Sequence, residues 1–148
     1  MRLTTEHVYV GVPRERLFGY LTDLTTVRDW QPDLAEPPEA LTTGGVRPGA
    51  RWHATVDEPR RGRFTLEVTV AAMTRPEQVS YYMEEPSSSA TIAYHLTAQG
   101  TGTQVQIQAE FQLKGWRRLL SPLVRPIIQK KLAARLLLLR DAAQAHCQ

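Results

Sequence analysis

Gln104-Val105-Gln106-Ile107-Gln108-Ala109-Glu110-Phe111-Gln112-Leu113 is the stretch that decides the fold. Val105, Ile107, Ala109, Phe111 and Leu113 are apolar, and every residue between them is Gln or Glu. Successive side chains of a strand point to opposite faces, so this decapeptide is a strand with one dry and one wet side. The same rule recurs upstream. Ala50 to Val56 puts Trp52, Ala54 and Val56 on one face, and Arg63 to Ala72 does so with Phe64, Leu66, Val68 and Val70. Gln78 to Met83 groups Val79, Tyr81 and Met83, while Ala90 to Thr97 sets Ile92, Tyr94 and Leu96 against Thr91, Ala93, His95 and Thr97. Leu3 to Val12 opens the chain with Val8, Val10 and Val12 aligned, and Glu6 continues that face backwards. A weak edge strand lies among the Pro and Gly signals that follow Leu34. Repeated alternation of this kind predicts an antiparallel sheet with one face in water. Gly100-Thr101-Gly102 joins two strands, so it reads as a hairpin turn and not as a nucleotide-binding loop, which must open a helix.

The other segments are helical. Pro13 starts a short helix in which Leu17, Phe18 and Leu21 share a face. Thr25 to Trp30 forms a second short helix or turn, stopped by Gln31-Pro32. Ser121-Pro122 is a cap and first-turn pair for the last helix, which Pro126 kinks or restarts. Through this helix Ile128, Leu132, Leu136, Leu139 and Ala143 make one apolar stripe. Lys131 and Arg135 lie on its shoulder, and Leu137 and Leu138 fall outside it, as a dimer face or a lipid-facing surface would require. One long helix must then cover the dry face of a curved sheet. The fold class is α+β: about seven antiparallel strands wrapped around a C-terminal helix, with two short helices between strands 1 and 2.

A chain of 148 residues, 42% hydrophobic and 22% charged, suits a single globular domain spanning residues 1–148. Cys147 is the one cysteine, which excludes an internal disulfide and favours a reducing compartment. No secretory signal and no bilayer-spanning run is read at either end, so the expected location is cytoplasmic. Charge is uneven. From Lys114 onward eight basic residues face one acid, Asp141, whereas the first 113 residues carry ten basic and fourteen acidic side chains. Such a segment is a solvated helix face or a contact for an anionic membrane. Only Trp116 interleaves with the basic residues, so nucleic acid is not expected as a partner.

Catalytic constellations are absent from the pattern. His7, His53, His95 and His146 are scattered, those in strands fall on the wet face, and none has metal-ligand spacing. No metal and no cofactor is expected. Arg135 either anchors an anion or carries its charge out to solvent along its aliphatic stem, and Glu6 is either an acid/base group or part of a wet strand end. Tyr81 and Tyr94 are the better candidates for orienting a ligand, because a phenol in a dry cavity needs a hydrogen-bond partner.

Val10-Gly11-Val12-Pro13-Arg14-Glu15-Arg16-Leu17-Phe18-Gly19-Tyr20-Leu21-Thr22-Asp23, followed by Trp30, resembles the opening of the START-like helix-grip superfamily. The nearest likeness is to its SRPBCC branch of polyketide cyclases/dehydrases and lipid-transport proteins. Gly100-Thr101-Gly102-Thr103-Gln104-Val105 and the final helix are also similar, so the likeness in layout covers essentially the whole chain. The resemblance implies a deep apolar cavity beneath the long helix, with Asp23 and Trp30 as scaffold residues near its closed end. The expected lining is Trp52, Phe64, Leu66, Val68, Tyr81, Met83, Tyr94, Phe111, Leu132, Arg135 and Leu136. Three readings follow: binding of a small hydrophobic molecule (a lipid, quinone or polyketide-like compound), a cyclase/dehydratase-type enzyme in the same cavity, and a protein- or membrane-interaction module built on the basic helix.

Overall fold

The computed structural model describes residues 2–4 (as backbone), 7–59 and 61–147, so the expectation for Glu6 lies outside the described residues. Strands β1 (Arg2–Thr4) and β2 (Val8–Val10) precede helix α1 (Arg14–Leu21) and a 3-10 turn at Val27–Asp29. Strands β3 (Glu39–Ala40), β4 (Arg51–Glu58), β5 (Gly62–Thr74), β6 (Gln78–Glu85), β7 (Ser88–Gln99) and β8 (Gly102–Leu113) follow. A 3-10 turn at Gly115–Leu120 then leads into helix α2 (Ser121–His146).

All strand pairings are antiparallel, in the order β1-β8-β7-β6-β5-β4-β3, with β2 also on β8. Because β1 and β2 share β8 as partner, the eight segments occupy seven positions across an open sheet. This is the helix-grip architecture, α+β. The N-terminal strand expected as one piece is thus two short segments in register with Glu110–Gln108 and Val105–Thr103 of β8. β5 carries a register shift between Val70 and Ala72, and a bulge there bends the strand. Gly102 is the turn residue where backbone approach is closest: a Cβ there would overlap the Tyr9 side chain and the Val10 carbonyl of β2.

α2 is continuous over 26 residues and contains Pro126, so the proline does not restart it. Ser121 makes no side-chain cap; Leu120 is the N-cap, and Ser121 is already helical, with Pro122 in the first turn where its missing N–H costs nothing. Its buried residues are Leu132, Leu136, Leu139 and Ala143, from the middle of the helix to its C-terminal end. That end is pinned to the start of the chain. Gly11 N–H donates to Gln144 Oε1 (2.9 Å), and Arg16 Nη2 donates to the Cys147 carbonyl (2.7 Å), satisfying a helix-end acceptor. Tyr20 and His146 rings pack at 4.8 Å. Around this clamp Val10, Leu17, Phe18, Val105, Ile107 and Leu139 are fully buried and form a solid core.

Leu139→Ala should therefore cost about 2–5 kcal/mol in urea unfolding, the usual range for a filled core site. Leu137→Ala, on the exposed side of the same helix, should stay within about 0.5 kcal/mol. Equal losses for the two would contradict this assignment of the buried stripe.

Candidate functional site: a cavity under the first half of the last helix

The dry face of the sheet divides into two regions. Cross-strand pairs of β7 and β8 run from Leu96–Val105 through Tyr94–Ile107 and Ile92–Ala109 to Ala90–Phe111 and Ser88–Leu113. Leu96, Val105 and Ile107 belong to the solid core, whereas Tyr94, Ile92, Ala109, Ala90, Phe111, Ser88 and Leu113 face a cavity of about 480 Å³. The first and middle turns of α2 pass over this open region, contributing Val124, Ile127, Ile128, Lys131, Leu132 and Arg135. β4 adds Trp52, Ala54 and Val56, with Val68, Leu66 and Phe64 of β5 directly opposite. Leu21, Leu24, Val27, Trp30 and Leu34 close the inner end. A mostly apolar hollow of this size is what small-molecule sites look like.

Of the lining expected from sequence, the wall holds every residue except Leu136, which is 3% exposed and packed in the core beside the clamp. Trp30 is itself in the wall, and Asp23 is not. Asp23 is exposed and accepts hydrogen bonds from the Thr25 N–H (2.9 Å) and hydroxyl (2.7 Å), a local turn. His53 and His95 are half-buried and outside the wall, as their strand parity requires.

Four aromatic rings cross the wall edge to face. Trp52 meets Tyr81 at 5.7 Å, Tyr81 meets Tyr94 at 6.1 Å, and Tyr94 meets Trp30 at 5.8 Å with planes at 87°. Such tilted contacts suit the ring quadrupole and fix each ring's orientation. Burial pushes both phenols above the ordinary tyrosine pKa; for Tyr94 the positive charge of the nearby Arg135 opposes the rise and Asp33 adds to it. Arg135 is half-buried and lines the cavity, with its charge near Tyr94. Trp30 Nε1 is buried and has no hydrogen-bond partner among the described residues.

The exposed rim is ionic. Glu58 pairs with Lys131 (3.4 Å) and Arg61 (3.8 Å), and Arg61 also pairs with Glu85, which accepts from the Ser88 hydroxyl (2.7 Å). The Arg61 guanidinium lies 4.1 Å from the centre of the Phe64 ring. This network joins two hairpins to α2 across one side of the opening. Sequence reasoning missed Glu58, Arg61 and Glu85, since charges near turns carry no periodic signal. No group of His, Cys, Asp and Glu among the described residues could hold a metal ion.

A bent sheet gripping one long helix around a lined hollow defines a helix-grip cavity protein. Residues 1–144 match the family model for polyketide cyclase / dehydrase and lipid transport, and the chain belongs to that family. The fold is shared with TTHA0849 from Thermus thermophilus (TM-score 0.74, 17% identity, 100% of each chain covered). It is also shared with Ara h 8.0201 (TM-score 0.73, 16% identity, 99% of this chain and 97% of that one). Ms6760 from Mycobacterium smegmatis is a third neighbour (TM-score 0.71, 14% identity, 98% and 92% covered). No curated protein matches the sequence significantly.

Alkaline stability tests the buried phenols. The native state keeps protons on Tyr81 and Tyr94 that an unfolded chain gives up near about pH 10. The folded form thus binds more protons there, so these residues' stability contribution is complete below that pH and falls as pH rises above it. Urea midpoints between pH 8 and 11 should drop with a slope that Tyr81→Phe reduces; an unchanged slope would show the Tyr81 phenol to be solvated.

Proposed function

We propose that this protein binds a small, largely apolar molecule in the cavity, with one acceptor oxygen of the ligand at the inner end. The observation that carries this reading is the group of Tyr94, Trp30 and Arg135 set among the apolar side chains of the wall, inside its ionic rim. The buried Tyr94 phenol stands beside the Arg135 guanidinium, and Trp30, whose ring packs against Tyr94, supplies an unpartnered N–H, so that a ligand acceptor would find donors here. An unpaired buried donor costs about 1–3 kcal/mol, which a ligand carbonyl or hydroxyl accepting from it would recover. Lipids, quinones and polyketide-like compounds all carry such an oxygen on an apolar body. Family membership supports a ligand of this class.

A carrier is favoured over a cyclase or dehydratase. Tyr94 holds its proton too tightly to act as a base near neutral pH. Glu58 and Glu85, the carboxylates at the rim, are both engaged in ion pairs. The unit of function is the single domain of residues 1–148, working in a reducing, cytoplasmic compartment, in keeping with the single thiol of Cys147. Trp52, Phe64, Leu66, Val68, Tyr81, Met83, Phe111 and Leu132 serve as the apolar contact surface.

Native mass spectrometry of protein mixed with a long-chain methyl ketone, or with the alkane of equal length, separates the two parts of the proposal. Both should bind with 1:1 stoichiometry, and Trp52→Ala should weaken both. Tyr94→Phe should weaken the ketone about three- to tenfold, the effect of one neutral hydrogen bond, and leave the alkane unchanged. If neither compound binds, the cavity reading fails; if Tyr94→Phe affects both equally, the polar assignment fails.

A further inference from the structure

We infer that the 3-10 turn at Gly115–Leu120 and the outer face of the first turns of α2 form a docking surface for an anionic lipid bilayer. Four large apolar side chains stand in water here. Trp116 is 67% exposed, Leu119 83%, Leu123 71% and Ile127 51%, more than any other large apolar residue described. Leu123 and Ile127 are four residues apart on α2 and so share one side of it, and Trp116 and Leu119 are three apart in the 3-10 turn just before it. An isolated exposed leucine is ordinary, but a run of four on consecutive turns is not.

The charge around the run selects the occupant. Between Phe111 and Arg140 there is no Asp or Glu, while Lys114, Arg117, Arg118, Arg125, Lys130 and Lys131 all fall within that span. Lys114 pairs with Glu84 and Lys131 with Glu58, but Arg117, Arg118 and Lys130 form no ion pair among the described residues. A second copy of this chain would bring the same uncompensated cations onto one another, and like charges brought together across an interface are costly. A bilayer with anionic headgroups removes that conflict: the cations meet phosphate and carboxylate, and the apolar run enters the acyl boundary. Apolar residues flanked by Arg and Lys, with a Trp at one end, are the composition of helices that lie in the membrane interface. No helix among the described residues is long and apolar enough to cross a membrane, so the contact is peripheral.

Position adds a second argument. Ile127 and Arg117 belong to both the exposed surface and the cavity wall, and Leu120 and Val124, next to Leu119 and Leu123, line the cavity. The docking surface is therefore continuous with the mouth. It stands without the ligand reading, because bilayer contact needs nothing in the cavity.

The test is co-sedimentation of the full chain with vesicles of phosphatidylcholine alone and of phosphatidylcholine mixed with phosphatidylserine, at low and high salt. Partitioning into the mixed vesicles at low salt is expected, falling steeply as salt is raised. Leu119→Ser/Leu123→Ser should lower it at least about tenfold, from the apolar area withdrawn, with thermal unfolding and ketone binding unchanged. Binding that ignores phosphatidylserine, or that survives the double substitution, overturns the inference. So does a dimer in analytical ultracentrifugation that the double substitution dissolves, since the face would then belong to a second copy.

Discussion

The structure depends on an asymmetric clamp. α2 is 26 residues long, yet its buried side chains begin only at Leu132. Leu139 and Ala143 are wholly buried, and Gln144, His146 and Cys147 hold the helix end to Gly11, Tyr20 and Arg16. A helix fixed so firmly at one end projects over the sheet at the other. The strand β5 has a register shift at Val70–Ala72, and the cavity lies between the sheet and the first and middle turns of the helix. The cavity is thus a consequence of where the packing stops.

That separation also explains the distribution of polar groups. Where helix and sheet part, backbone contact no longer holds them in register, and side chains span the gap. Lys131 and Glu58 do so at the rim, and Arg135 and Tyr94 do so at the inner wall. In the rim pairs the carboxylates of Glu58 and Glu85 are mostly buried, while Arg61 and Lys131 are about half exposed. Lys131–Glu58 ties α2 to the end of β4. The inner pair lines the cavity itself. In the same stretch of helix, apolar residues that find no sheet beneath them on the outer side stay exposed, which is why the mouth and the apolar surface adjoin.

Strand periodicity made most of this legible. Alternation in Gln104–Leu113 and its four companions assigned β4 to β8 and their inward faces, because a period of two has no rival explanation over ten residues. The resemblance of Val10–Asp23 supplied the family. What periodicity cannot reveal is where a dry face stops being packed. Val105 and Phe111 are equivalent in the pattern, yet one is core and the other faces the void, and Leu136 is core although Leu132 and Arg135 are wall. That distinction is set by the helix anchor some forty residues away in sequence. Trp30 was legible only as scaffold, since the indole fills space and lines the hollow at once. The rim ions were invisible for a plainer reason: ion pairs between hairpins follow tertiary distance, not sequence spacing.

Xenon is the probe that interrogates the partition directly, since it enters dry apolar voids without needing polar contacts. Methyl NMR spectra of the protein under xenon pressure should show saturable shifts at Ile92, Leu66, Val68 and Leu132. The methyls of Val10, Val105 and Leu139 should stay still. Shifts spread evenly over both groups, or none at either, would mean that helix and sheet are packed alike along their whole length, which contradicts a helix anchored at one end and lifted off the sheet at the other.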